Sequence, residues 1–385
     1  VHASPESLVK ITIDHPAQIE ELTRLVSIDD VDGLDVFAYA SPDQLEVLDV
    51  GGWDFEVIPS PEPESIVMCA PGWVDDDDRL WDCYPTYPQY VALLQKFASD
   101  YPALARLESL GFTTNQVRPH ELLLLRISDN PDVEENEPEV LLTSTIHGNE
   151  PPGIVFCLRL LDQLLRGYGI DPQLTALVDD LEIWINPLAN PDGTYFGSDT
   201  DITDASRYLT DSGGGPAFVD GNRNFPDPED GDHPDGNPWW IETQHWMSFA
   251  EDHSIALAAN LHTGSEVMNY PWDTWERRHT DEAWWVRIAR AYADRVHDVA
   301  PAGYLDNYNN GITNGYDWYS ISGGRQDFMT YFHGSREVTL EMSDTKMLPS
   351  SELDNYWQWN RDALLGFLAE ARTGIRSEER RVGKE

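Results

Sequence analysis

The stretch EVLLTSTIHGNEPPG, residues 139–153, decides how the rest of the chain is read. Its first nine residues form a near-continuous β-rich apolar run, the pattern of a strand covered on both faces. A helical pattern follows at 153–167. His147 and Glu150 therefore sit where a strand gives way to a helix, and three residues across such a turn let two side chains converge on one point. The arrangement recurs downstream. The run IALAANLH (255–262) ends in His262, and REVTLEM (336–342) carries Glu341 near its end. Apolar strands alternating with helices predict an α/β fold, an α/β/α sandwich around a mixed, mostly parallel twisted sheet. Such sheets carry their sites at strand ends, where these ionisable residues lie.

Working outward, strands are expected at about 105–112 and 120–128 and at 181–187, with helices at 87–100, 239–253, 281–298 and 351–371. Ahead of them lies a separate unit: a strand at 8–13, helical spacing at 16–26, a strand at 33–39, a short helix at 42–49 and a strand at 54–58. That pattern predicts a small N-terminal α+β domain over 1–58. A Pro- and acid-rich linker spans 59–83, from PSPEPE through the run Asp75–Asp78, which reads as solvated loop or, less commonly, as a calcium site. The main domain covers 84–375. The last residues, 376–385 (RSEERRVGKE), turn basic within an acidic protein and read as a non-native tail.

Composition excludes some partners. Lys and Arg number 25 against 69 Asp and Glu, a formal net charge of -44. Nucleic acid and anionic membrane surfaces, which are held by Lys and Arg, are not expected partners. The acids are spread along the whole chain, the pattern of a surface adapted to high salt, although the same field would also attract cationic substrates. Cys157 lies in an apolar run and reads as a buried thiol, while Cys69 and Cys83 flank the acidic loop and could form one disulfide. No stretch has the length and apolarity of a membrane span.

Two His and one Glu form a recurrent catalytic zinc set that leaves a coordination position open. His147, Glu150 and His262 supply that set. Each also has a plainer reading, since a His can cap a strand end and a Glu favours a helix N-terminus. For Glu341 the plainer reading is an ion pair with Arg336 or Lys346. The other histidines (His2, His15, His120, His233, His245, His253, His279, His297 and His333) have no ligand-like partner at motif spacing.

Further motifs follow in a fixed order: INPLANPDG (185–193), VDGNRNFPD (219–227), LHTGSEVMNYPWD (261–273), GITNGYDWYSISGGRQDF (311–328) and TLEMSDTKMLP (339–349). From about Tyr84 to about Glu370 the chain resembles the funnelin-type zinc carboxypeptidases, most of all their regulatory, N/E-like branch. That resemblance implies one Zn2+ per chain on His147, Glu150 and His262. It makes Glu341 the general base that takes a proton from water and passes it to the leaving amine. It assigns the grip on the substrate's terminal carboxylate to Asn222 and Arg223, and closure over the substrate to Tyr319. Asp220 would orient His147 through its free ring nitrogen, and Arg207 would stabilise the oxyanion. Asp273 and Gln326 match positions that bind a basic side chain, with Asp273 as a helix cap the plainer alternative. Arg325, beside Gln326, would weaken that preference if it pointed into the pocket.

The resemblance therefore implies a metalloprotease that removes C-terminal residues from peptides or proteins, leaning to Lys and Arg, secreted and monomeric, with peptide or protein C-termini as its partners. The alternatives are a carboxypeptidase of other specificity (murein peptide, Glu or broad apolar) and a non-catalytic binding scaffold. The N-terminal domain reads either as a propeptide that masks the cleft or as a permanent accessory.

Overall fold

The computed structural model describes residues 6–60, 65–115, 117–133, 135–210 and 218–373. The tail expected at 376–385 and the Gly-rich run Gly213–Gly215 lie outside the described residues.

The larger domain is built on one eight-stranded sheet. Its strands in chain order are β5 (Ala105–Phe112), β6 (Glu121–Ile127), β7 (Glu139–Ser144), β8 (Glu182–Asn186), β9 (Ile255–His262), β10 (Ser265–Tyr270), β11 (Ile312–Asn314) and β12 (Arg336–Ser343). In space they run β11-β10-β12-β9-β7-β8-β6-β5. The central strands β12, β9, β7 and β8 are mutually parallel, whereas β6 and β5 join antiparallel at one side and β10 at the other. Parallel strands need covering on both faces, and the sequence supplies this: β8 is buried at every residue, and β7 at every residue after Glu139. Helices Tyr87–Asp100, Pro152–Gly167, Glu282–His297 and Leu353–Glu370 pack their apolar faces with one side of the sheet in a single core. Helices Ile241–Asp252 and Arg325–His333 contribute Trp246, Phe249, Phe328 and Met329 to a second core with Leu141 and Trp184. The expected α/β/α sandwich is the observed one.

The N-terminal unit consists of β1 (Ser7–Thr12), β2 (Ser27–Asp32), β3 (Asp35–Ala40) and β4 (Asp54–Ile58), with a ten-residue helix at Pro42–Gly51. Its sheet has the order β2-β3-β1-β4 and is antiparallel throughout. The helix expected over 16–26 is shorter, a 3-10 turn at Pro16–Gln18 followed by Ile19–Leu22, and the chain then enters β2, a strand missing from the sequence reading. β2 is an edge strand, and its register against β3 shifts between Ile28 and Asp30, so Asp29 is the extra residue of a bulge.

The stretch 59–83 is less of a linker than its composition suggests. From Val67 onward it belongs to the larger domain: the Val67 carbonyl accepts from Tyr84 N, Cys69 N donates to Tyr84 O, and Cys69 and Cys83 form a disulfide. Trp73 is buried in the main core, and Arg79 pairs with Asp162 at 2.8 Å. Cys157 is buried, as expected.

One buried acid gives a pH test of this packing. Glu242, in the first turn of its helix, accepts from Thr114 N at 3.1 Å and Thr114 Oγ1 at 2.9 Å. Burial, reinforced by the charge of Asp192, pushes its carboxyl up to about 7. The neutral form is thus favoured in the fold, and the stabilisation it brings is complete below the unfolded-state pKa and lost as pH rises toward 7. Glu242→Gln is expected to gain on the wild type as pH goes from 5 to 8, by on the order of 2 kcal/mol, read as the change in the stability difference between the two proteins.

Candidate functional site

The parallel pairing of β7 with β9 sets Thr143 opposite Asn260 and Ser144 opposite Leu261. The loop after β7 and the last residue of β9 therefore leave the sheet side by side. His147, Glu150 and His262 meet there, all three buried, with one donor atom from each within 4.8 Å of the others. His147 Nδ1 lies 3.0 Å from Glu150 Oε1, and His262 Nδ1 lies 2.8 Å from Glu150 Oε2. The other nitrogen of His147 faces Asp220 Oδ1 at 3.1 Å, so the ring is held from behind by a carboxylate, a standard support for a metal-binding histidine. The remaining nitrogen of His262, Nε2, is buried without a hydrogen-bond partner. Two imidazoles and a carboxylate converging from three directions fit a zinc ion by donor type and by spacing.

The charges explain how this cluster survives burial. Burial opposes the ionisation of Glu150, but Lys346, His147 and His262 outweigh it and hold the carboxyl well below its ordinary value. Lys346 Nζ is 3.0 Å and Arg207 Nη1 2.9 Å from Glu150 Oε1. For Asp220, too, burial is outweighed, here chiefly by His147 and Arg223. His262 is pushed down by burial to about 4, which keeps it neutral and able to bind metal.

Glu341 lines the same cavity from β12, in register with His262 on β9. Neither ion pair considered for it forms: Arg336 pairs with Asp281 at 2.6 Å, and Lys346 pairs with Glu150 and Asp29. Glu341 Oε2 is buried with no hydrogen-bond partner, and burial, followed by the charge of Glu150, raises its carboxyl well above the ordinary range.

Asn222, Arg223 and Tyr319 line the cavity as well. Arg207 joins them from the loop preceding residues 211–217, beside Glu150. Asp273 and Gln326 sit one layer behind the wall. Gln326 Nε2 donates to Asp273 Oδ1 at 2.9 Å, and Asn269, which does line the cavity, donates to the same oxygen at 3.1 Å. A Cβ on Gly315 would fall 1.7 Å from that oxygen, so only glycine leaves room for Asp273. Burial raises Asp273 to about 7. Arg325 points away, into the core, with Nε 2.9 Å from Glu337 Oε1.

Several residues of the cavity were not given a place in it by the sequence: Asn269, Trp318, Thr339, Asp29, and Lys346, which was considered only as a partner for Glu341. Asp29 comes from the N-terminal domain, whose edge strand β2 lies against the cavity. The Ile28 carbonyl accepts from Arg223 Nη2 at 3.2 Å and from Arg207 Nη2 and Tyr319 OH, both at 3.5 Å. Tyr319 and Ile321 pack into the core of the small domain. A further His and two acids, His253, Glu139 and Glu182, form a second cluster with metal-like spacing. There, however, Arg126 pairs with Glu182 and His253 with Glu139 at 2.7 Å, so the cluster is satisfied as an ion-pair network.

The profile of a known family, described as zinc carboxypeptidase, matches residues 90–363. Carboxypeptidase D of Mus musculus is 35% identical over 304 residues, covering 75% of this chain and 21% of that protein, so the chain spans about a fifth of the length of that relative. The carboxypeptidase N catalytic chain of Homo sapiens is 32% identical over 322 residues, covering 75% of this chain and 69% of that one. Among solved structures, carboxypeptidase A from Helicoverpa armigera superposes with a TM-score of 0.71 at 17% identity over 96% of this chain and 98% of that chain. The motifs, the fold and these relatives agree: the chain belongs to the zinc carboxypeptidase family.

Proposed function

We propose that this protein removes single residues from the C-termini of peptides, with a lean to Lys and Arg, and that its N-terminal domain masks the cleft. The observation that carries the reading is one cavity lined together by His147, Glu150 and His262, by Asn222 and Arg223, which suit a carboxylate, and by Glu341, which stands on β12 in register with His262.

Zinc held by His147, Glu150 and His262 would supply Lewis acidity to the scissile carbonyl and acidify a water. The chain's own residues do the rest. Arg223 and Asn222 hold the terminal carboxylate, and the planar guanidinium suits its two oxygens. That grip confines cleavage to the last bond, because an internal peptide offers no carboxylate. Glu341 takes a proton from the attacking water and delivers it to the leaving amine nitrogen. A cation held by Glu150 would offset the like-charge part of the push on Glu341, whose larger cause is burial. Arg207 faces the oxygen on which negative charge develops. Tyr319 shuts water out once substrate is seated. Asp220 fixes the ring of His147.

The Lys/Arg lean rests on Asp273, bonded to the wall residue Asn269 and to Gln326. The masking rests on the edge strand β2, whose Ile28 carbonyl takes up the donors of Arg223, Arg207 and Tyr319. The disulfide Cys69–Cys83 supports an oxidising compartment, and with it secretion.

The test is digestion of matched peptides ending in Arg, Lys, Leu or Glu, and of an Arg peptide with an amidated end, read by mass spectrometry. Single-residue loss from free carboxyl ends, abolished by a chelator, is the expected result; cleavage of the amidated peptide contradicts it. Glu341→Gln is expected to lower kcat by roughly a thousandfold or more while metal content stays at one ion per chain. Because Asp273 ionises near neutrality, the kcat/KM ratio of Arg over Leu peptides should rise as pH goes from 6 to 8; a flat ratio would remove Asp273 from specificity. Arg24→Ala, which breaks the 2.7 Å pair between the small domain and Asp230, should speed cleavage by the intact chain.

A further inference from the structure

Lys346 has no part in the chemistry just described, yet the fold takes trouble to place it. It is one of four lysines in the chain. Its side chain is 16% exposed and reaches the cavity over Gly264, where a Cβ would stand 2.7 Å from Nζ. Gly264 has φ +129, so both its conformation and its missing side chain are used. In a protein of net charge -44, three cations, Arg207, Arg223 and Lys346, line this one cavity.

The partners of Lys346 Nζ fall into two groups. Glu150 Oε1 at 3.0 Å is a metal ligand, and the Thr263 carbonyl at 3.4 Å follows the ligand His262. Asp29 Oδ1 at 2.6 Å and the Tyr39 ring, 5.7 Å from Nζ to its centroid, both belong to the N-terminal domain. Asp29 is the bulged residue of β2, and a bulge re-aims a side chain; here it sends a carboxylate into the cavity, where Arg207 Nη1 also meets it at 3.2 Å. When substrate replaces β2 and Glu150 is engaged by metal, Lys346 is left with a carbonyl alone. A buried cation without a counter-charge is costly, so the site favours a ligand that brings one.

We propose that Lys346 is a specificity-determining residue, a subsite for an acidic side chain on the residue that precedes the scissile bond, and that Asp29 fills this subsite in the intact chain. The position follows from its neighbours. Arg223 takes the terminal carboxylate, the metal ligands mark the bond to be cut, and Lys346 contacts Glu150 and the residue after His262. A carboxylate paired with Lys346 is therefore offered from the N-terminal side of that bond. The proposal rests on the carboxypeptidase reading above and names its substrate class: peptides ending in an acidic residue followed by the residue removed.

The experiment uses the full chain carrying Asp29→Ala, with Asp29→Asn as a second variant in case alanine loosens β2. Peptides ending Glu-Arg, Gln-Arg and Lys-Arg are compared. Glu and Gln differ in charge but hardly in shape, so their ratio within one protein is insensitive to a general loss of activity. We expect kcat/KM to favour Glu over Gln by about tenfold, and the preference to shrink in high salt. Adding Lys346→Met should bring the two peptides to within about twofold. Equal cleavage of Glu and Gln peptides in the Asp29→Ala chain, or a preference that survives Lys346→Met, overturns the subsite while leaving the carboxypeptidase standing. Failure to trim any of the peptides, in either variant and again after the N-terminal domain is released by limited proteolysis, overturns the carboxypeptidase reading and the subsite with it.

Discussion

A single buried carboxylate sets the terms for this structure. Glu150 is 2% exposed, and an ionised carboxylate so placed costs several kcal/mol unless its surroundings answer the charge. Here they do so from four sides, through His147, His262, Arg207 and Lys346. Those groups come from the loop after β7, the end of β9, the segment before the Gly-rich run and the segment after β12. The requirement that they meet at one point constrains the pairing of the central strands, because a slip of β9 against β7 by one residue would turn His262 to the other face of the sheet.

The same carboxylate connects the two domains. Arg207 and Lys346 each reach from Glu150 to Asp29, so the small domain is tied to the His147–Glu150–His262 cluster through two shared cations. Around this centre the interface is polar and specific: Glu6 accepts from Ser206 Oγ and Arg207 N, Ser27 bonds Asp220, and Tyr208 OH donates to Tyr39 O. Cations that are scarce elsewhere in the sequence are thereby concentrated where anionic groups of a ligand, or of the chain itself, have to be held.

Much of this was legible in the sequence for a physical reason. A strand covered on both faces is apolar, so an ionisable residue at its end stands out, and His147, His262 and Glu341 were found that way. The fold class followed from the same apolar runs. What escaped notice lies where local pattern and tertiary role part company. β2, with SIDDVD, has too many acids to read as a strand, because it is an edge strand with a bulge and one of its acids, Asp29, meets Arg207 and Lys346 of the other domain. β11 is three residues long and β10 follows β9 after two residues, so neither shows an independent run. Residues 67–83 look like linker because they are acidic and rich in turn formers, yet a disulfide and the buried Trp73 tie them to the core. Lys346 was weighed only as a partner for Glu341, five residues before it along the chain; its actual partners, Glu150 and Asp29, are distant in sequence and could be seen only in the fold.

The central claim is that His147, Glu150 and His262 hold the working metal. It is tested most directly by equilibrium zinc titration of the wild type, His262→Ala and His253→Ala, with bound metal counted per chain. The account predicts one tightly bound ion in the wild type, its loss in His262→Ala and its retention in His253→Ala, whose histidine belongs to the ion-pair network with Glu139. An ion kept by His262→Ala and lost from His253→Ala would place the metal at Glu139, Glu182 and His253 instead, and would contradict the account.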